Sequence, residues 1–303
     1  MGIILASTAI ADWLNTNFAG FDMAIFKFFG GIQSDIGTFI ARLFTSMGAT
    51  IYAVLFLVLA LVLVLFKRTR KVGLALVFAI VIGTLITNII LKPMVMRIRP
   101  YNALQNVGDF LKWYIGAGAA AESDFCFPSG HTCAATEIAI VLCAVHFSGR
   151  KKGICWIFPV VAFLTGCSRI YLMVHYPSDV LASLVIGLVA GIAGYYISKL
   201  ICYILDRTGL DDRLDLERVH VRRRGRHITR GAAGLAIATA WLIIFMVSFV
   251  KIQIESGEQY QSTHPRCAYD QEYKCYNEAQ TGKNYPAIDG KYYCKIHWKE
   301  LSK

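Results

Sequence analysis

Four stretches of this sequence, 48–66, 72–91, 180–205 and 231–250, are apolar for long enough to cross a bilayer. A crossing helix needs about 20 predominantly apolar residues. Two further segments are weaker. Residues 132–147 are short and contain Glu137, while 154–172 are interrupted by Pro159 and end in Arg169. Both are apolar around most of their circumference and lie between clear spans, so six transmembrane helices are expected. A mean hydropathy of +0.50 agrees with burial in lipid rather than in a soluble core. The expected class is an all-α membrane protein.

The first 47 residues differ in kind. Asp12, Asp22, Lys27, Asp35 and Arg42 interrupt the apolar residues at helical spacing, and Phe18, Phe21, Phe26, Phe28 and Phe29 crowd among them. This pattern reads as helices lying in the interface, with an additional span as the alternative.

A net charge of +11 invites a nucleic-acid reading, but the distribution of the charge points to topology. Lys67, Arg68, Arg70 and Lys71 join the first two spans, and Arg150, Lys151 and Lys152 join the third and fourth. Residues 206–230 carry eight arginines. These connections alternate with less basic ones, the positive-inside pattern. They belong in the cytoplasm, which puts 92–131, 173–179 and the tail 251–303 outside. Lys92, Arg99 and Arg169 then stand on the outer side without a topological reason.

Three clusters collect there: KPMVMRIRP at 92–100, FPSGHT at 127–132 and SRIYLMVHYPSD at 168–179. Lys92 and Arg99 are two helical turns apart and would share a face in a helix. With Arg169 they supply three cations, a set suited to phosphate. Pro128, Ser129 and Gly130 precede an apolar helix, where free backbone N–H groups and the helix dipole favour an anion. His175 and Asp179 are spaced i, i+4, so the carboxylate could hold Nδ1–H and leave Nε2 as a nucleophile. His131 is available as the acid. Phosphoryl transfer asks chiefly for positioning and for positive charge around the equatorial oxygens, and no cofactor is expected.

Lys92 to Pro100 fits K-x6-R-P, residues 128–131 are P-S-G-H, and 168–179 fit S-R-x5-H-x3-D. In this order the chain resembles the type 2 phosphatidic acid phosphatase (PAP2) superfamily over residues 48–205. The resemblance implies a PAP2-type helical bundle and a metal-independent lipid phosphatase. It also implies that His175 attacks phosphorus to form a phosphohistidine, Asp179 orients it and His131 protonates the leaving oxygen. Lys92, Arg99, Arg169, Ser129 and Gly130 would hold the phosphoryl oxygens. The expected substrate is undecaprenyl diphosphate or a similar polyprenyl diphosphate, with phosphatidic acid and phosphatidylglycerol phosphate as alternatives. The site would face the exterior of the plasma membrane. Arg97 matches no signature position, and Asn88 and Glu137 are either the polar floor of the site or helix–helix partners. A transporter would spread its polar residues along the spans, and a scaffold would not need intact acid and nucleophile positions.

Five of the nine cysteines lie in spans as small packing residues. In the tail, Cys267, Cys275, Cys294 and His297 form C-x7-C-x18-C-x2-H, which suits one zinc ion. Disulfides in an oxidising exterior, including Cys126, are the alternative. The expected organisation is interfacial helices at 1–47, a catalytic bundle at 48–205, a basic linker at 206–230, an extra span at 231–250 and an exterior tail at 251–303.

Overall fold

The computed structural model describes residues 8–47, 50–147, 155–213, 266–269, 275–277, 279–281 and 284–302. The expected sixth span at 231–250 and most of the basic linker lie outside the described residues. Among the described residues the body is helical: α1 Ala9–Asn17, α2 Ala19–Gly31, α3 Asp35–Met47, α4 Thr50–Val64, α5 Arg70–Thr84, α6 Lys92–Val95, α7 Pro100–Ala103, α8 Phe110–Gly116, α9 Gly130–Phe147, α10 Ile157–Tyr171, α11 Pro177–Arg207 and α12 Leu210–Arg213. A π-helical segment, Leu85–Leu91, joins α5 to α6, and the tail carries α13, Lys295–Leu301. The helix starting at Arg70 and the helix Pro177–Arg207 are long and apolar enough to cross a membrane, while those in 50–64, 130–147 and 157–171 are shorter apolar helices.

At the centre, α11 packs against α5 and α9, with α4 outside α5 and α10 between α9 and α3. The inner faces are made of small residues. A Cβ on Gly194 would stand 2.6 Å from the Ala75 carbonyl, and one on Gly187 would stand 2.8 Å from the Cys133 carbonyl. Only hydrogen fits there, so α5 and α9 approach α11 backbone to backbone, the packing that bilayer helices use in place of large apolar contacts. The large side chains face outward instead: Val58 and Leu61 on α4, Phe163 on α10, and Val185 and Val189 on α11 are all exposed.

Polar groups gather at the two ends of this bundle. At the end carrying Arg207, buried Arg70 pairs with the Asp211 carboxylate, which also meets Lys67 at 3.1 Å. Two of the cations that the sequence pattern assigns to topology are therefore bound into a local ion-pair cluster. At the opposite end lie α6 to α8 and the segments around 122–131 and 173–179. Helices α2 and α3 pack there against α10, and α2 also touches α11. Ser183 Oγ accepts the Ser129 N–H at 2.7 Å and donates to the Asp179 carbonyl at 2.6 Å, tying the start of α9 to the first turns of α11.

Candidate active site

Lys92 arrives at the end of the long α5–π–α6 rod. The helix then stops, because Met96 adopts a left-handed conformation with φ of 51°. Pro100 disfavours a helical conformation for the residue before it, and Arg99 is extended at φ −62°, ψ 142°. Lys92 and Arg99 therefore do not share a helical face as the spacing suggested. The chain reversal brings them together through a common partner: Lys92 pairs with Asp124 Oδ2, and Arg99 Nη2 pairs with Asp124 Oδ1 at 2.5 Å.

Arg99 also sets the tautomer of His175. Its Nη1 lies 2.9 Å from His175 Nε2 and 2.9 Å from the Val174 carbonyl. A guanidinium only donates, so Nε2 is the acceptor and the ring proton sits on Nδ1. That nitrogen faces Asp179 Oδ2 at 3.5 Å and Cys126 Sγ at 3.4 Å. The expected carboxylate–imidazole neighbourhood forms, but the Cys126 thiol stands closer to the carboxylate, donating to Oδ2 at 2.8 Å. Burial and the Asp179 charge push this thiol up, so it remains a donor. Cys126 is thus engaged at the histidine as a free thiol and is not joined by a disulfide to the tail cysteines considered as its partners.

Asp179 occupies the first turn of α11, where Oδ2 accepts the Tyr176 N–H at 3.1 Å. Its other oxygen takes Arg97 Nη1 at 2.5 Å. Arg97, which no signature position singled out, is wholly buried. It donates to Ser178 Oγ at 2.8 Å and Asn15 Oδ1 at 2.9 Å, pairs with Asp22 at 3.1 Å and lies 3.7 Å over the Tyr176 ring. Asp22, read from the sequence as one of several interfacial charges, also accepts the Ser178 N–H at 2.8 Å.

Arg169 closes α10. Its Nη2 pairs with Glu122, Nη1 donates to Thr45 at 2.7 Å, and Nε is buried with no hydrogen-bond partner among the described residues. Ser129 precedes α9 as its cap, its hydroxyl accepting from Thr132 Oγ1 at 2.9 Å. The Ser129 N–H is already committed to Ser183, so the free backbone donors expected at 128–130 do not include this one. Gly130 keeps the backbone beside the cations, since a Cβ there would lie 3.9 Å from Lys92 Nζ.

Lys92, Arg99, His131 and His175 line one cavity of about 300 Å³. Asn88, Glu122, Asp124 and Glu137 line it as well, together with Ala53, Val54 and Leu57 of α4, so the chamber is charged at one end and apolar along one wall, and Arg169 is not part of its lining. Burial alone would raise the Asp124 carboxyl, but Arg99 and Lys92 outweigh it and hold it below its usual value. Arg169 and Arg99 do the same for Glu122. Burial, then the charges of Arg99, Arg169 and Lys92, push His175 well below the ordinary imidazole value and keep it neutral. Sequence reasoning did not single out Glu122 and Asp124. Their signal was the presence of two acids next to FPSGHT in a loop otherwise read for its cations.

The profile of the PAP2 superfamily matches residues 72–201. The lipid A 4'-phosphatase of Bacteroides thetaiotaomicron is 30% identical over 183 residues, covering 58% of this chain and 76% of the relative. The undecaprenyl-diphosphatase BcrC of Bacillus subtilis is 40% identical over 84 residues, 28% of this chain and 41% of the relative. Among solved structures, the transmembrane PAP2-type phosphatidylglycerolphosphate phosphatase of Bacillus subtilis superimposes with a TM-score of 0.51 at 26% identity, over 63% of this chain and 92% of that one. The fold, the matched span and the relatives agree: the chain belongs to the PAP2 superfamily and is a membrane phosphate-ester hydrolase.

Proposed function

We propose that the protein hydrolyses a polyprenyl diphosphate, undecaprenyl diphosphate in particular, through a phosphohistidine on His175. The observation that carries this reading is the single cavity in which Lys92, Arg99, His131 and His175 meet beside the apolar wall of α4. A phosphoryl group entering the charged end would replace the carboxylates of Asp124 and Glu122 as partner of Lys92, Arg99 and Arg169. The unpartnered Nε of Arg169 supplies a further donor. Replacing Arg99 at Nε2 frees the lone pair on His175. That pair attacks phosphorus, the bond to the leaving oxygen breaks, and the leaving oxygen takes the proton of His131. Water then attacks the phosphohistidine and gives its proton to His131; the P–N bond breaks and phosphate departs. Asp179, held by Arg97, favours the imidazolium character that develops on His175. Ser129 and Gly130 complete the cradle.

Lys92 and Arg99 on the cavity wall suit a phosphoryl group, and the BcrC relative carries undecaprenyl-diphosphatase in its name. Helix α11 ends at Arg207 beside the Arg70–Asp211 cluster, whereas the tail lies against the site loops through Arg266 and Asn277. Those two positions are at opposite ends of the bundle, and the Lys67 and Arg70 end is the one that the positive-inside pattern assigns to the cytoplasm, which supports a site on the exterior face of the plasma membrane. The deciding experiment is phosphate release by the purified full-length protein in detergent. Undecaprenyl diphosphate should give a higher kcat/KM than phosphatidic acid or phosphatidylglycerol phosphate, and His175→Ala should abolish turnover and the alkali-quenched, acid-labile phosphoenzyme. Equal turnover in that variant would end the mechanism, and a preference for either glycerolipid would end the substrate assignment.

A further inference from the structure

The tail contains a second cluster of reactive side chains, which the phosphatase chemistry does not use. One ligand atom each from Cys267, Cys275, Cys294 and His297 lies within 4.8 Å of all the others, and all four residues are buried. His297 Nδ1 stands 3.4 Å from Cys267 Sγ and 3.2 Å from Cys294 Sγ. In a tetrahedral site with Zn–S of about 2.3 Å and Zn–N of about 2.0–2.1 Å, sulfur and nitrogen stand about 3.5 Å apart. The spacing is therefore already close to that of a loaded centre.

The surroundings are those of metal-bound thiolates. Asn277 Nδ2 points at Cys294 Sγ at 3.5 Å, and Asn102 Nδ2 points at Cys275 Sγ at 3.9 Å. Amide N–H groups directed at sulfur stabilise negative charge there, the role of outer-sphere partners in metal centres. The Tyr269 ring stacks on His297 with centroids 3.9 Å apart and planes 5° from parallel, fixing the imidazole. Local chain geometry delivers the ligands. Cys294 immediately precedes α13 and His297 follows three residues later, on the same helical face. Cys267 is registered by its N–H to the Asn277 carbonyl at 2.9 Å, and Cys275 by its N–H to the Tyr269 carbonyl at 3.1 Å.

We infer that Cys267, Cys275, Cys294 and His297 bind one structural zinc ion, and that the metal-folded tail clamps the outer segment bearing Glu122 and Asp124. Three thiolates and an imidazole fill four positions and match the soft, tetrahedral preference of zinc. The clamp is explicit. Asn277 Oδ1 accepts from Tyr101 Oη at 2.8 Å and from Asn102 at 3.2 Å, and Tyr101 Oη accepts the Glu122 N–H at 3.2 Å. Arg266 donates to the Ala119 carbonyl at 2.6 Å. Phe125 packs on the buried cluster formed by Cys267, Tyr269, Cys275, Cys294 and Ile296. Asn277 thus touches both the metal cluster and the support of the carboxylate that faces Arg169.

The test is elemental analysis of the full-length protein purified in detergent without added metal, which should return one zinc per chain. Cobalt replacement should give tetrahedral d–d bands with thiolate-to-metal charge transfer. Cys294→Ser should lose that zinc, while Cys126→Ser, changed at the other cluster, should keep it. Because the wild-type metal content and cobalt spectrum need no variant, a misfolded Cys294→Ser protein would not decide the matter. Chelation should raise hydrogen exchange in peptides covering 101–126 as well as in the tail. Iron in place of zinc, a wild-type protein with no metal, or two tail thiols lost to a disulfide by mass would overturn the site. Unchanged exchange at 101–126 after metal removal would overturn the clamp. None of these readouts depends on turnover.

Discussion

Arg97 and Arg99 are two residues apart, yet they sit in ion-pair clusters of different kinds. Arg97 and its partners Asp22 and Asp179 are at most 4% exposed. Its contacts run to Asn15, Asp22, Tyr176, Ser178 and Asp179, and none of these residues lines the cavity. Arg99 is buried too, but its partner Asp124 is 34% exposed, and Glu122 beside Arg169 is 28% exposed. The first cluster has no outlet, so it can only hold Asp179 and the start of α11 in place. The second opens onto the chamber, so its carboxylates can be exchanged for another anion. Two arginines on one short segment thus sit one in a closed cluster and one in a cluster open to the chamber. Extended backbone turns successive alternate residues in the same direction, so the separation comes from the elements packed around each guanidinium: Asn15, Asp22 and the start of α11 for Arg97, and the 124–125 and 174–175 segments for Arg99.

The sharpest way to break this comparison is Arg97→Met. It leaves two buried carboxylates without their cation, a loss of about 3–5 kcal/mol. Thermal unfolding in detergent should drop steeply and activity should vanish with it. A stable but inactive protein would move Arg97 into the binding set. Next in size, Arg99→Ala should keep the fold but cut kcat/KM by about 10²–10³, the usual cost of deleting one group that stabilises transition-state charge. A collapse of the unfolding temperature would instead make Arg99 structural.

The same variant has a pH signature. Burial and neighbouring cations hold His175 below its ordinary 6.5, so the free enzyme carries a neutral imidazole from well below that pH upward. The acid limb of kcat/KM should therefore lie below pH 6.5. Removing the Arg99 charge stabilises the imidazolium and should move that limb upward. A limb that stays put would mean another group titrates there.

The smallest effect is expected from Asp124→Asn. Taking away a partly exposed competitor frees Lys92 and Arg99, so inhibition by inorganic phosphate should tighten about two- to fivefold, in line with about 0.4–1 kcal/mol for such pairs. Weaker inhibition would show that Asp124 positions the cations more than it competes for them.

What could be read from the sequence follows from how local its causes are. Apolar run lengths announced the helices of the bundle, because a membrane-crossing helix satisfies its backbone within a single segment. The reactive side chains His131, His175, Lys92, Arg99 and Arg169 were visible as motifs at the expected outer ends. The tail's three cysteines and His297 were visible as a spacing, though not as a choice between metal and disulfide. Tertiary structure alone decided who pairs with whom. The helical reading of Lys92 and Arg99 failed at Met96, whose left-handed turn has no glycine or asparagine to announce it. Cys126 came to lie between His175 and Asp179, and Asp22 reached Arg97 across more than seventy residues, through packing that no local period encodes. Helix formation in lipid is a property of each segment, whereas desolvating a charge is tolerable only when a partner from elsewhere arrives, and that partner is fixed by the fold as a whole.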